Sequence, residues 1–599
     1  MGVAQAPISV ADALRHAHQL CATRRHAEAE PYLRMVLRVQ PRHFDALHAL
    51  GLCLLERGEY AQARKRIADA VRMEPRLPCG HVSLGHALRS LNRIDDAIAS
   101  FRRAFELDPS DFEALRACGS ALEEQGKYQD AIAVFERALA LQPADFVANC
   151  ARANCLLMLH RYEAAVAGFD RALATKPGNP EASQNRAVAL TPIRPAQALA
   201  AFDPVIAGST GSFQARAISN RGNAFSELDR LEEALACHEQ ALQIDPDLFE
   251  ARFCRAAALH GLNRLDEAVR AYDEAIGLNP AAADARMFRS MALLSAGRFD
   301  EGWVQYEWRG DGIRRLSPAQ PDRRRWLGDG DPSGRTVLLY NEQGYGDTIQ
   351  FARYARLLLA RGARVILRVQ RPLASLMARL DPAIRVVESD RDAGPFDLCC
   401  PIMSLPLAFG TRGETIPAPV PYLGADAGRV ESWRRRIGAA AGPRIGLAWA
   451  GNAANVNDRR RSIALSRLAP LLSLASAKFI VLQNELRPGD RELLSTWPAV
   501  EHFDREIRDF EDVAALIELC DLVIGVDTAV VHLAGALAKP VWVLLPFAPD
   551  FRWMLGREDT PWYPSARLFR QARTGEWEPV VQRLAEEMGR TAFRQGAAA

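Results

Sequence analysis

At 599 residues the chain is too long for one hydrophobic core, and about one domain per 150 residues asks for three or four units. A net charge of +2 and a pI near 8.0 exclude a nucleic-acid coat or a polybasic membrane anchor, so any charge-based recognition is local and no nucleic-acid partner is expected. The eleven cysteines are scattered, Cys399 beside Cys400, without a Cys-x-x-Cys pair; they read as reduced, buried apolar residues, and no metal site is expected. Met1-Gly2-Val3-Ala4-Gln5-Ala6 lacks the hydroxyl residue of a myristoylation signal, and no apolar run of signal or spanning length occurs. A cytoplasmic protein without stable membrane insertion is the expectation.

Pro41, Pro75, Pro109, Pro143 and Pro177 fall 34 residues apart, and Pro246 and Pro280 resume the interval after a gap of 69. Ten residues after the prolines stand Gly51, Gly85, Gly119 and Ala153, small enough for two helices to cross closely. Twenty-two after them stand Ala63, Ala97, Ala131, Ala165 and Ala268, with Ala234 where a proline at 212 would put it. Between these lies an aromatic or aliphatic slot, Tyr60, Ile94, Tyr128, Tyr162, Leu231, Leu265 and Phe299. Each unit reads as a helix, a tight turn carrying Gly58, Asn92, Gly126 or Asn263, a second helix and a terminating proline. The period is that of the tetratricopeptide repeat (TPR), whose units bury their apolar stripes only by stacking into a superhelical solenoid. Counting from Pro7 to beyond Pro280 gives about nine units over residues 1–310. The sixth, about 178–212, reads as degenerate and as a bend, because Pro192, Pro195 and Pro204 interrupt it.

Such an array offers a groove lined by the first helix of each unit. Asn154, Asn185, Asn220 and Asn223 fall on successive first helices, where each amide can pair with the main chain of an extended peptide or simply be solvated. Asparagine ladders of this kind resemble, over a few units, those of O-GlcNAc transferase, whose repeats feed acceptor protein to a glycosyltransferase half.

The period ends near Trp308, and Asp311, Gly312, Pro318, Pro321, Asp329, Gly330, Asp331 and Pro332 mark a connector, 311–334. Arg323-Arg324-Arg325-Trp326 within it reads as a packing and solvated segment. From Thr336 strands and helices alternate: strands at 336–341, 365–369, 384–388 and 396–401, with a helix over about 347–361. After Pro417, Pro419 and Pro421 they restart, at 444–450, 479–483, 500–503, 522–526 and 541–545, with helices near 465, 490, 513 and 530. Two Rossmann-like, doubly wound α/β domains with a cleft between them follow from this order, 335–425 and 426–599.

Four stretches carry the chemistry. Asn341-Glu342-Gln343-Gly344-Tyr345-Gly346-Asp347-Thr348 leads from the first strand into a helix. Gly446-Leu447-Ala448-Trp449-Ala450-Gly451-Asn452 runs on to Asn457-Asp458-Arg459-Arg460-Arg461-Ser462. Phe479 to Gln483 ends a strand in an amide, and Leu522 to Val526 enters Asp527-Thr528-Ala529-Val530-Val531-His532-Leu533-Ala534. At this last junction the free amides and dipole of a helix N-terminus make an anion site suited to a diphosphate, although an Asp-Thr pair also reads as a plain helix cap.

Together these stretches resemble the family 9, heptosyltransferase-like glycosyltransferases of GT-B fold, over approximately residues 335–590. Asp527 to Ala534 is similar to that family's Asp-Thr-Gly-x-x-His-Leu-Ala motif, with Ala529 in place of glycine, which narrows the approach of a phosphate by one methyl. The resemblance implies Asp347 as general base, an alternative to a plain cap. It implies donor contacts from Gly346, Thr348, Asn452, Gln483, Asp527, Thr528, Ala529 and His532. One of Arg459, Arg460 and Arg461 would meet the donor phosphate, Arg461 lying nearest in position. It further implies a nucleotide-sugar donor, no cofactor and no metal, and a final helix near 578–588 that crosses back to the first domain. The layout is similar to bacterial enzymes that glycosylate flagellin, so the expected partner in the groove is a protein acceptor, flagellin first. A glycolipid acceptor, or a scaffold with a decayed transferase half, are the alternatives.

Overall fold

The computed structural model describes residues 8–309, 325–439, 442–455, 458–474 and 477–596. Most of the expected connector, with Arg323 and Arg324, lies outside these, as do Pro7 and Asn457. The chain divides into two compact units, 1–228 and 229–599. No helix among the described residues is long and apolar enough to cross a membrane.

From Val10–Ala22 to Phe299–Tyr306 the described residues form nine helix pairs. The small residues do what their spacing suggests. A Cβ added at Gly85 would lie 2.5 Å from Phe101, and one at Gly119 would lie 2.6 Å from Phe135, so the paired helices cross at a distance only glycine allows. Where the first helix carries Ala153 instead, its neighbour carries Gly168, whose Cβ would fall 2.8 Å from that of Ala153. The turns pass through the left-handed region at Gly58, Asn92, Gly126 and Asn263. The sixth unit is a helix pair after all, Pro180–Leu190 and Pro195–Ala207. Pro195 sits in the first turn, where a missing N–H is free of charge to the helix, and only Pro204 is interior.

Unit 229–599 contains the helices from Leu231–Ile244 onward and two parallel sheets. The first sheet comprises β1 (Thr336–Tyr340), β2 (Arg364–Arg368), β3 (Arg385–Val387) and β4 (Leu398–Pro401), in the order β3-β2-β1-β4. The second comprises β5 (Arg444–Ala448), β6 (Lys478–Val481), β7 (Val500–His502), β8 (Leu522–Val526), β9 (Val541–Leu545) and β10 (Ala566–Arg570), in the order β10-β9-β8-β5-β6-β7. Both orders reverse direction beside their first strand, the topological switch point at which α/β sheets bind ligands. The expected long helix is instead two, Tyr345–Phe351 and Tyr354–Ala360.

Side chains alternate across the second sheet. Ala448, Val523, Val541 and Val543 join one apolar cluster with β1, β2 and β4, so the two sheets share a core. Ile445, Leu447, Ile524 and Val526 face the other way, onto Val580, Val581 and Leu584 of the final helix. In that helix, Glu578–Gly596, Val580, Val581, Leu584 and Met588 pack on the second sheet. The segment that reaches the first domain lies earlier: Phe551, Trp553 and Trp562 enter the shared cluster, and Arg353 donates to the carbonyl of Trp562 at 2.8 Å.

The last repeats belong to this unit's core. Leu294, Phe299, Trp303 and Tyr306 lie in the shared cluster, and the Trp303 indole donates to the carbonyl of Thr411 at 3.1 Å. Asn263 donates to the carbonyl of Phe547 at 2.7 Å. Trp326 is buried there as well, as a packing role requires.

Candidate functional site

The loops that leave β1, β5 and β8 meet at the carboxyl edges of the two sheets. Gly346, in the helix that follows β1, packs against Ala529–Ala536, the helix that follows β8. A Cβ at Gly346 would lie 2.7 Å from the His532 ring and 3.6 Å from the Ala529 Cα. Glycine here lets the first domain's loop lie directly on the second domain's helix N-terminus.

Asp347 stands beside that contact. Its Oδ2 accepts from the Gly344 amide at 2.9 Å, and its Oδ1 accepts from Arg552 at 2.6 Å. The cap reading thus holds, and each carboxylate oxygen keeps a further lone pair for an incoming hydroxyl. Arg552 is buried and also faces Asp550 at 3.4 Å. Burial opposes its charge, but Asp550, Asp347 and Asp527 outweigh that and raise its pKa above the ordinary value. Burial pushes the Asp550 carboxyl up against the pull of Arg552, with Asp527 and Asp347 adding to the rise. For Asp527 burial also opposes ionisation, yet His532 and Arg552 hold it below the usual carboxylate range.

Thr528 caps Ala529–Ala536 in extended backbone, but its hydroxyl makes no capping bond. Thr528 Oγ1, Arg461 Nε and Arg552 Nε are buried without a hydrogen-bond partner among the described residues. A buried polar group left unpaired costs about 1–3 kcal/mol, so the Thr528 hydroxyl at a helix N-terminus suits an anion that would pair with it, whereas Arg461 Nε lies 3.7 Å from Asp458. Arg461 Nη1 donates to the Asp527 carbonyl at 3.2 Å. Arg459 and Arg460 turn to Asp229, at 3.8 Å and 2.7 Å. Among the three arginines, Arg461 is therefore the one set at the β8 junction.

Several expected donor contacts are elsewhere. Thr348 is fully buried, its hydroxyl donating to Gln370 at 2.9 Å. Gln483 accepts from the Trp449 and Ala450 amides at 2.9 Å and 3.3 Å and donates to the Glu485 carbonyl at 2.9 Å; its amide ties β6 to the end of β5. His532 faces the core, 3.5 Å from Asp527 and 3.0 Å from the Tyr563 hydroxyl, stacked on Trp553. These three make hydrogen bonds or close polar contacts within the protein. Asn452 is exposed in the loop after β5 and accepts from the Ala454 amide at 2.9 Å. Arg552 and Asp550 were not legible in the sequence; they sit in a loop without repeat or motif, and only a lone arginine between aromatics, Phe551-Arg552-Trp553, marks the place.

In unit 1–228, Asn185 donates to Asn154 at 3.1 Å. Asn220 and Asn223 line a hollow of about 320 Å³ with Leu157, His160, Tyr162, Val188, Thr191 and Pro192, drawn from three successive helix pairs. The four asparagines are half-buried, which sets them apart from freely solvated amides.

Tetratricopeptide repeat profiles match residues 14–78, 82–146, 119–180, 255–306 and 215–248. The glycosyltransferase family 9 (heptosyltransferase) profile matches residues 508–569, a narrower stretch than 335–590 and the one that holds the β8 junction and Arg552. Protein FlbA of Caulobacter vibrioides is 31% identical over 329 residues, which are 50% of this chain and 52% of that one, so the chain spans about half the length of the curated relative it matches. Among solved structures, the APC/C hetero-tetramer Cut9–Hcn1 aligns at 17% identity and TM-score 0.33, over 47% of this chain and 55% of that one. YrrB, described as a TPR protein with an unusual peptide-binding site, aligns at 23% identity and TM-score 0.28, over 31% and 95%. The chain carries tetratricopeptide repeats fused to a family 9 glycosyltransferase domain.

Proposed function

We propose that this chain transfers a sugar from a nucleotide-sugar to a protein acceptor bound in the repeat groove, with flagellin the first acceptor to test. The observation that carries the reading is the meeting of the two switch points. Gly346 on Ala529 sets the Asp347 carboxylate beside a helix N-terminus where the Thr528 hydroxyl is buried without a hydrogen-bond partner among the described residues and Arg461 stands alongside. An acceptor hydroxyl attacks the anomeric carbon as its bond to the donor phosphate breaks, and the hydroxyl proton passes to Asp347. The departing nucleoside diphosphate gathers negative charge, which the first-turn amides, the helix dipole and Arg461 stabilise. Arg552 aims Asp347, and the half-buried asparagines of the groove pair with acceptor main chain.

The test is Asp347→Asn in the full chain. Transfer, read by intact mass of the acceptor, falls about 10²–10⁴-fold, while nucleotide affinity stays within about twofold because the substitution keeps the cap's shape. Undiminished transfer would remove Asp347 from the base role. Chelation by EDTA is expected to leave the rate unchanged; a rate that falls and returns with added Mg²⁺ would contradict the metal-free assignment.

A further inference from the structure

Cys21 ends the helix Val10–Ala22, His26 opens His26–Val39, and Cys53 lies on Phe44–Glu56. One Sγ from each cysteine and a ring nitrogen of His26 all lie within 4.8 Å of one another. The two sulfurs are 3.5 Å apart, and two zinc–sulfur bonds of about 2.3 Å at a tetrahedral angle span about 3.8 Å. His26 Nδ1 is buried without a hydrogen-bond partner among the described residues. We propose that Cys21, His26 and Cys53 form a binding site for a borderline-soft dication, Zn²⁺ in the first instance, which joins the first helix pair to the second.

The donor set argues for the metal class, because two thiolates and an imidazole suit Zn²⁺ rather than Mg²⁺ or Ca²⁺, which take oxygen ligands. Cys21 and His26 are half-buried and Cys53 buried, so an ion held by these three keeps a fourth position that water fills. Glu30, one turn beyond His26, is bonded to Arg34 and Arg57 and is not needed as a ligand. Binding deprotonates each ligating thiol and releases its proton to solvent. Spacing hides the site, because Cys53 follows Cys21 by 32 residues and meets it only when one repeat stacks on the next.

The experiment titrates the reduced full-length protein with Zn²⁺ against a chromophoric chelator, and with Co²⁺ read by thiolate-to-cobalt charge transfer. One equivalent of each ion, the charge-transfer band and a higher unfolding temperature with Zn²⁺ are expected. Cys21→Ser and His26→Gln, both at half-buried helix ends, each weaken binding at least about tenfold, while Cys79→Ser at an exposed cysteine leaves it unchanged. Stoichiometry well below one, or affinity unmoved in the Cys21→Ser/His26→Gln double variant whose far-UV spectrum matches the parent, overturns the site. A Cys21–Cys53 disulfide that persists in the reduced protein overturns it as well.

Discussion

The repeats before residue 228 and those after it follow one sequence pattern yet are built into different things. In the first unit the cores are the repeats' own: Ala13 to Ala87 form one cluster, and Leu88 to Ala224 another. In the second unit the final pair gives Phe299, Trp303 and Tyr306 to the core shared by both sheets. One repeat slot shows the contrast directly, since Tyr60 is 38% exposed and Phe299, its counterpart seven repeats on, is 4% exposed. A repeat period specifies the helix pair. What the pair serves is decided by the large residues it places off the pattern, here Trp303 and Tyr306.

The largest effect that tests this difference is truncation. A chain that starts at residue 229 is expected to keep cooperative unfolding and near-UV ellipticity, whereas one that starts at 311, without Trp303, Tyr306 and Arg309, loses both. Retention of a cooperative transition in the shorter chain would return the last repeats to the array. Next comes Phe299→Ala, which should cost about 3–5 kcal/mol in urea unfolding, against less than about 1 kcal/mol for Tyr60→Ala; equal costs would erase the contrast.

Smaller still is Thr528→Val. It removes a hydroxyl that has no partner, so thermal stability should hold or rise while nucleotide titration weakens roughly five- to tenfold. A fall in stability with affinity unchanged would make Thr528 an ordinary cap.

The subtlest expectation concerns pH, and the two units should respond with opposite sign. Burial would raise Asp512, but bonds from Arg508, Trp433 and Arg429 hold it at about 2, below the about 3.9 of an unfolded chain. At Asp512 the folded chain therefore binds fewer protons than the unfolded chain in this range. Its Asp512 contribution is complete above about pH 4 and is lost as pH falls towards 2. In the first unit burial, with Glu124 beside it, raises Glu123 to about 7, above an unfolded value of about 4.3. Folding there binds a proton, so stability increases as pH falls from 7 towards 4. Hydrogen exchange measured separately over the two units reads both slopes; Glu123→Gln should flatten the first and Asp512→Asn the second.

Much of this architecture was legible in the residues. Proline and glycine spacing located the helix pairs, and the apolar run at Leu522–Val526 coincides with β8, since a strand buried on both faces leaves a continuous signal. β10 was missed because Ala566-Arg567-Leu568-Phe569-Arg570 alternates with charge at a sheet edge. The site was legible only in part. Asp347, Thr528 and Ala529 follow strand ends closely, and Arg461 ends a short helix in the loop after β5, places that motifs can mark. Arg552 is not so placed: Asp347 and Asp527, both distant in sequence, join the nearby Asp550 around one buried guanidinium. Gln483 and Thr348 bond within the protein, a use of a polar residue that its place in the sequence does not reveal.

The burial of Phe299, Trp303 and Tyr306 also bears on how such a chain lengthens over evolutionary time. A stack of helix pairs needs a polar cover over its last apolar face, and here that face is covered by the sheet domain instead. A duplicated repeat inserted after residue 229 would slide the wrong face onto the sheets. One inserted upstream meets only other repeats. The number of repeats is thus free to change before residue 229, while the pairs that pack on the sheets stay fixed in number.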